Sequence, residues 1–330
     1  MTTLADQKKL RLKQKDLVFN VLRLFSVELE KKQVPSIWDV ALSSSQIVDY
    51  LKERYSIDYK TDYWLWTQLK RYEEELGMPL FKKHKGTGPA FIISLAAPYT
   101  HFHQKKHLYI AEKLKAANAV YDEIENWAHQ NRRGDPVKVL LGAGGLCNHI
   151  ASIFAEHLDS LSYALDIYTH NLGIIEQFSS LLQKENSLGI YVPSGKLDPT
   201  TYTLLEMQDS FYEDIPFDFI VQGTSFVYEG ELYIESKEEL PRKTSIAKRT
   251  KGTRILALSM HEFIDDASLV EGLTPYASLF DYDQVVVPRS GTSGTESALS
   301  SEIFLSYGEH LHPLVLNWNY AIYQIRQPVL

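Results

Sequence analysis

From residue 137 onward, short apolar runs alternate with segments of helical periodicity, and nothing else in the chain limits its fold as strongly. VKVLL (137–141) runs into the turn GAGG, after which a helix is expected over 146–158. YALDIYT (163–169) leads into a helix over 172–182, and LGIYVPSG (188–195), FDFIVQGTS (217–225), TRILALS (253–259) and YDQVVVP (282–288) supply further strands. Strands that are apolar on both faces and separated by helices require a mostly parallel open sheet covered on both sides. The expected class is α/β. SGTSGTES (290–297) reads as a Gly/Ser loop, followed by a helix near 296–307 and an apolar tail that packs back.

The first 135 residues have a different texture. Leu17, Val18, Val21, Leu22, Leu24 and Phe25 recur at helical spacing and predict a helix over 16–32. The serines 43–45 can cap a helix over 46–55, and Thr61 or Asp62 a third over 62–76, which Gly77 ends. In that third helix Leu65, Leu69, Tyr72 and Leu76 make one buried stripe. MPLFKKHKGTGPAFIIS (78–94) then outlines a β-hairpin with a basic, Gly-rich tip over 82–88. A long helix over 104–130, apolar along Leu108, Ala111, Leu114, Val120, Ile124 and Trp127, suits a linker or dimerisation element. A chain of 330 residues exceeds one ordinary core. The expected division is a winged helix-turn-helix domain over 1–100, a linker helix over 101–133 and a ligand-sensing domain over 134–330.

Charge divides the same way. Residues 1–135 carry 22 Lys/Arg and 17 Asp/Glu, and residues 136–330 carry 12 and 25, so +5 and −13 sum to the net −8. A basic front on an acidic protein fits contact with a phosphate backbone. No stretch reaches the ~18 apolar residues of a membrane span. The N-terminus lacks an apolar signal run. Cys147 is the sole cysteine, so no internal disulfide forms, and a cytoplasmic setting is expected.

QLKRYEEELGMPLFKKHKG (68–86) resembles the winged-helix domain of LysR-type regulators, with Glu73 to Phe81 in step and Tyr72 where that family has Leu. The resemblance implies double-stranded DNA as partner. The outer face of the third helix offers Tyr63, Trp66, Thr67, Lys70 and Arg71 to a major groove, and Lys82, Lys83, His84 and Lys85 would meet phosphates. A protein-binding winged helix is the alternative, which the glutamates 73–75 favour.

Residues 137–287 resemble the sensor domain of DeoR-type regulators, a fold shared with ribose-5-phosphate isomerase and the CoA transferases. LLGAGGLCNHIASIFAEHL, DIYTHNLGI, VPSGKLDP and the segment ending at Lys243 follow in the family's order. The resemblance implies a small anionic metabolite, a sugar phosphate or similar. Gly142, Ala143, Gly144 and Gly145 would bring backbone amides to an anion at a helix N-terminus. Thr169, His170, Asn171, Ser194, Gly195, Lys196, Thr224 and Ser225 stand at strand ends, and Lys243 would pair with phosphate or with Glu231. The family's Gly-Thr-Thr turn is here Gly144-Gly145-Leu146, which removes two hydroxyls.

These features predict a ligand-responsive transcription regulator, a homodimer or homotetramer without catalytic residues, metal or cofactor. HFHQKKH (101–107) has no matching Cys/Asp/Glu set for zinc, and Cys147 reads as core. The rivals are a sugar-phosphate isomerase or CoA-transferase-like enzyme, with Glu231 or Glu239 facing Lys243, and a ligand-free interaction scaffold.

Overall fold

The computed structural model describes residues 12–32, 36–56, 61–86, 90–131, 134–182, 187–205, 211–249, 251–289 and 302–326. The chain forms two compact units, 1–111 and 112–330. Among the described residues no helix is long and apolar enough to cross a membrane.

In the first unit, α1 (Gln14–Lys32), α2 (Ser44–Tyr55) and α3 (Asp62–Leu76) pack with β1 (Ala41–Ser43), β2 (Phe81–Lys85) and β3 (Phe91–Leu95), and α4 (Phe102–Lys105) follows. The strands form an antiparallel sheet ordered β1-β3-β2. Local chemistry sets the helix ends. Ser43 accepts the Gln46 amide while the Gln46 side chain returns to the Ser43 amide, a reciprocal cap on α2. Thr61 caps α3, and Gly77, at φ 71°, ends it in the left-handed region.

The stripe expected on α3 is shifted. Leu65, Leu69 and Glu73 are buried, whereas Tyr72 and Leu76 are half-exposed. The Glu73 carboxylate accepts the Leu80 and Phe81 amides at 2.7 and 2.6 Å and pairs with Lys70. It thereby supplies acceptors for the two amides that open β2. The expected basic tip is also corrected. Lys82, Lys83 and Lys85 lie on the edge strand β2 itself, and residues 87–89 lie outside the described residues. Exposed lysines suit an edge strand, where they deter pairing with another chain.

α5 (Ile110–Asn131) carries the chain into the second unit. The continuous helix expected over 104–130 is broken between α4 and α5, where Tyr109 takes φ 54°. The apolar face of α5, with Ala116, Val120, Ile124 and Ala128, is buried in the second unit's own core. Of the stripe expected to face a second subunit, Val120 and Ile124 are covered from within, Trp127 packs partly on the same core, and Leu114 is half-exposed.

The second unit continues with β4 (Val137–Leu141), α6 (Gly145–His157), β5 (Leu165–Thr169), α7 (Leu172–Phe178), β6 (Leu188–Tyr191), β7 (Lys196–Asp198) and β8 (Thr203–Leu205). β9 (Phe219–Gln222), β10 (Phe226–Tyr228), β11 (Glu231–Tyr233), α8 (Leu240–Ala247), β12 (Thr253–Ala257), β13 (Pro275–Ser278) and β14 (Gln284–Pro288) follow. α9 (Glu302–Leu305), β15 (Leu311–Leu316) and β16 (Tyr320–Ile325) complete it. Eight strands form one sheet in the order β15-β16-β14-β12-β9-β4-β5-β6, parallel from β14 to β6 and antiparallel at β16 and β15. The fold is mixed α/β with a large, mostly parallel sheet.

Burial on both faces follows from the two-residue period of a strand. Val139, Leu141, Phe219, Val221, Ile255 and Ala257 pack with α5 and α6 on one side. Leu140 and Ile220 meet Ile246 of α8 on the other. There Leu256, Val285 and Val287 join the core with Val227, Leu232 and Tyr276 of a small sheet ordered β10-β11-β13. The SGTSGTES loop and the start of the helix expected near 296–307 lie outside the described residues.

Candidate functional site

The strand order reverses between β4 and β9: the chain leaves β4 toward β5 and β6, then returns to β9 and continues outward through β12 and β14. Such a reversal opens a crevice at the carboxyl ends of the two central strands. The expected Gly-rich turn lies there. Gly142 donates its amide to the Val221 carbonyl at 2.9 Å. Gly144 is the N-cap of α6 at φ 107°, ψ 168°, a conformation essentially reserved for glycine. Gly145 opens the helix, and Ala143 is buried. No side chain caps α6, and a methyl group added to Gly144 would meet nothing within 4 Å. The turn thus faces open space with first-turn amides at the positive end of a helix dipole.

Thr169 and Asn171 are brought to this turn. The Asn171 Nδ2 donates to the Gly144 carbonyl at 3.2 Å, and its Oδ1 accepts the Gly173 amide at 2.9 Å to cap α7. Thr169 Oγ1 accepts the Asn171 amide at 3.1 Å. Both are fully buried, so their polar groups shape the turn. His170, 1% exposed, has Nδ1 at 3.3 Å from the Tyr212 hydroxyl. Burial, followed by the charges of Arg242 and Lys243, drives its pKa well below the usual histidine value, so the ring is neutral.

Lys243 is 3% exposed. Its ammonium donates to the Gly223 carbonyl at the end of β9 and stands 5.3 Å from the centroid of the Tyr276 ring. Among the described residues it has no carboxylate within 4 Å. Its nearest acid in sequence is Glu239, one helical turn earlier, 7% exposed, accepting from Thr203 Oγ1 at 3.1 Å. Burial raises the Glu239 pKa above the ordinary carboxylate range, and Lys243 opposes that rise. Cys147, in the first turn of α6, is wholly buried. Burial pushes its thiol up to about 11, against the pull of the Lys243 ammonium and nearby amides.

Sequence reasoning missed Gln222, Tyr276 and Tyr282. Gln222 is fully buried beside Gly142; its Oε1 accepts from Tyr282, and its Nε2 has no acceptor among the described residues. Its signal was a polar residue closing an otherwise apolar strand, FIVQ.

The other expected residues make no hydrogen bond to the turn among the described residues. Ser194, Gly195 and Lys196 are exposed, with Lys196 opening β7, which pairs antiparallel with β8. Thr224 and Ser225 spend their side-chain hydroxyl and amide, respectively, on the Tyr233 carbonyl at 2.7 and 3.0 Å. Glu231 lies on β11, where burial and then the charge of Asp281 raise its pKa. The expected Lys243–Glu231 ion pair is not formed among the described residues; of the two acids expected to face Lys243, Glu239 is the one a helical turn away.

In the first unit Tyr63 is 73% exposed, and Arg71, Lys82 and Lys85 are exposed. Thr67 donates its hydroxyl to the Tyr63 carbonyl at 3.0 Å. Trp66 packs edge-on to Phe91 with centroids 6.0 Å apart. The Lys83 ammonium stands 4.2 Å from the Phe91 ring and 5.6 Å from Trp66, and Lys70 is 5.0 Å from Trp66. Lys83 and Lys70 are thus engaged with rings, and Lys70 also with Glu73.

No family model and no curated protein matches the chain. Solved structures similar to it include a D-ribose-5-phosphate isomerase in complex with phospho-erythronic acid, at 14% identity and TM-score 0.31, covering 66% of this chain and 78% of that one. Ribose 5-phosphate isomerase A from Methanocaldococcus jannaschii matches at 9% identity and TM-score 0.31, over 65% and 79% of the two chains. eIF2B delta from Chaetomium thermophilum matches at 9% and TM-score 0.35, over 84% and 92%. No family match stands behind the LysR-type resemblance of 68–86. The isomerases correct one expectation directly: the reading of the chain as a non-enzyme is withdrawn.

Proposed function

We propose that the second unit binds a phosphorylated small metabolite at the reversal between β4 and β9. The observation that carries this reading is Lys243: a buried ammonium at the strand ends, with one carbonyl acceptor and no carboxylate within 4 Å among the described residues. An ammonium has three donors, and burying its charge without a close counter-ion costs several kcal/mol. A ligand anion offsets that cost, and the uncapped amides of α6 beside Gly144 add donors aimed at open space. Each charge-assisted hydrogen bond contributes roughly 1.5–3 kcal/mol, so two or three give micromolar affinity despite the unit's acidic surface. Calorimetric titration of the full chain with ribose 5-phosphate and inorganic phosphate tests this. Lys243→Met is expected to weaken binding by at least about tenfold. Equal affinity in both proteins would refute the role of Lys243.

A second reading concerns what happens to the bound metabolite. Glu239 is a buried carboxyl with a raised pKa, one turn from Lys243, and such a group can take a proton from a carbon beside a carbonyl and return it. Turnover of ribose 5-phosphate, followed by proton NMR and lost in Glu239→Gln, would support catalysis. A substrate unchanged after prolonged incubation would leave binding alone.

For the first unit we propose a winged helix-turn-helix that binds double-stranded DNA. Its order of α1, β1, α2, α3 and a β2–β3 hairpin fits that design, and Tyr63, Arg71, Lys82 and Lys85 are its exposed candidates. Lys82→Ala with Lys85→Ala should reduce the slope of log affinity against log salt by about two, since each phosphate contact contributes roughly 0.9. A slope unchanged by both substitutions would refute the strand as a phosphate contact.

A further inference from the structure

We infer that Tyr276 is a positioning residue that holds the Lys243 ammonium at the end of β9 and away from Glu239. This rests on the reading of Lys243 as the anion-binding cation. Tyr276 is 3% exposed and belongs to β13 of the small sheet. Its ring lies 5.3 Å from the Lys243 ammonium, within cation–π range. Its hydroxyl approaches the Gly223 carbonyl at 3.3 Å, the same oxygen that receives Lys243. The neighbouring Tyr282 hydroxyl contacts Tyr276 and donates to Gln222, so the two phenols brace both polar residues at the tip of β9.

A lysine side chain has four rotatable bonds, and Glu239 precedes Lys243 by one turn of the same helix, the spacing at which opposite charges pair. Without the ring, the ammonium is free to fold back onto Glu239. That ion pair would neutralise the cation and remove donors from the crevice. Tyr276 thereby determines whether the site presents a positive charge to a ligand.

The test uses the full chain, with inorganic phosphate and ribose 5-phosphate as probes. Tyr276→Phe keeps the ring and should bind within about threefold of the parent, whereas Tyr276→Leu should bind about tenfold more weakly. Adding Glu239→Gln to Tyr276→Leu should restore most of the loss, an effect that general loosening of the core would not produce. An unaffected Tyr276→Leu protein, an equal loss in Tyr276→Phe, or no rescue would overturn the assignment.

A ligand-free arm separates this inference from the binding reading. In a crystal structure of ligand-free Tyr276→Leu the Lys243 ammonium should lie within ion-pair distance of the Glu239 carboxylate, whereas in the parent it meets the Gly223 carbonyl. An ammonium still on the Gly223 carbonyl in the variant would refute the positioning role. Failure of the parent to bind either probe would refute the metabolite site while leaving that structure to decide the role of Tyr276.

Discussion

Glu262 follows β12 and is half-buried beside Ser259, whose hydroxyl donates to its carboxylate at 2.6 Å and whose amide also donates to it. Burial pushes this carboxyl up from 4.5 to about 7; Lys113 opposes the rise, and Glu112 adds to it. The folded pKa thus exceeds the unfolded one, which fixes the sign. Below pH about 4.5 both states hold the proton and no penalty exists. Between about 4.5 and 7 only the unfolded chain ionises, so stability falls as pH rises. Above 7 the full penalty remains. Each pKa unit is 1.36 kcal/mol, so a shift of roughly 2.5 corresponds to at most about 3 kcal/mol for this half-buried group, with solvent screening reducing it. Glu262→Gln keeps an acceptor for Ser259 but has no charge to bury. It should stabilise the protein by up to about 3 kcal/mol at pH 8 and by little at pH 4.5. Glu112, whose own carboxyl is held below the usual range despite burial by its bond to His261, contributes the opposite slope at lower pH. Urea unfolding of parent and variant at several pH values, followed by far-ultraviolet circular dichroism, gives the difference directly. A stability gain that is the same at pH 4.5 and 8, or absent at both, would refute the reasoning.

Other expectations are equally direct. Glu73→Ala removes the acceptor of two buried amides, so the first unit should lose about 3–5 kcal/mol, seen as an earlier urea midpoint in tryptophan fluorescence; an unshifted midpoint would mean that water replaces the carboxylate. Gly144→Ala meets no atom within 4 Å, yet φ 107° disfavours any side chain, so a cost of about 1–3 kcal/mol and a weaker phosphate affinity should appear together. Ile124→Asp buries a carboxylate in the second unit's core and should cost about 3–5 kcal/mol by denaturant titration. A stable protein that merely sediments as a smaller particle would instead return α5 to the role of an intersubunit helix.

Much of the sheet was legible because its strands are apolar on both faces, and runs such as VKVLL and FIVQ can be satisfied only by a doubly covered sheet. The caps of α2 and α3 were legible too, since a serine or threonine before a helix has a local reason to be there. What could not be read depends on contacts distant in sequence. Glu73 sits in a run of three glutamates, and only the amides of Leu80 and Phe81 distinguish it from its exposed neighbours. The break before α5 rests on one left-handed residue, Tyr109, in a stretch whose composition suits a continuous helix. Lys243 was legible only through the resemblance of the segment that ends there to DeoR-type sensors, and sequence left Glu231 and Glu239 as alternatives, since only the fold shows that Glu239 caps the helix that carries Lys243.

On the proposed reading, the same division explains why the charge of the second unit would mislead about its ligand. Its excess of acids was counted over all side chains, most of them in high-dielectric surroundings where each acts weakly at a distance. Lys243 is buried at the strand ends, so its field is screened far less, and the N-terminus of α6 is left without a side-chain cap. A few groups fixed at the reversal of the strand order therefore outweigh a larger number on the surface. Tyr276 and Tyr282, which no periodicity marks, keep those few groups in place.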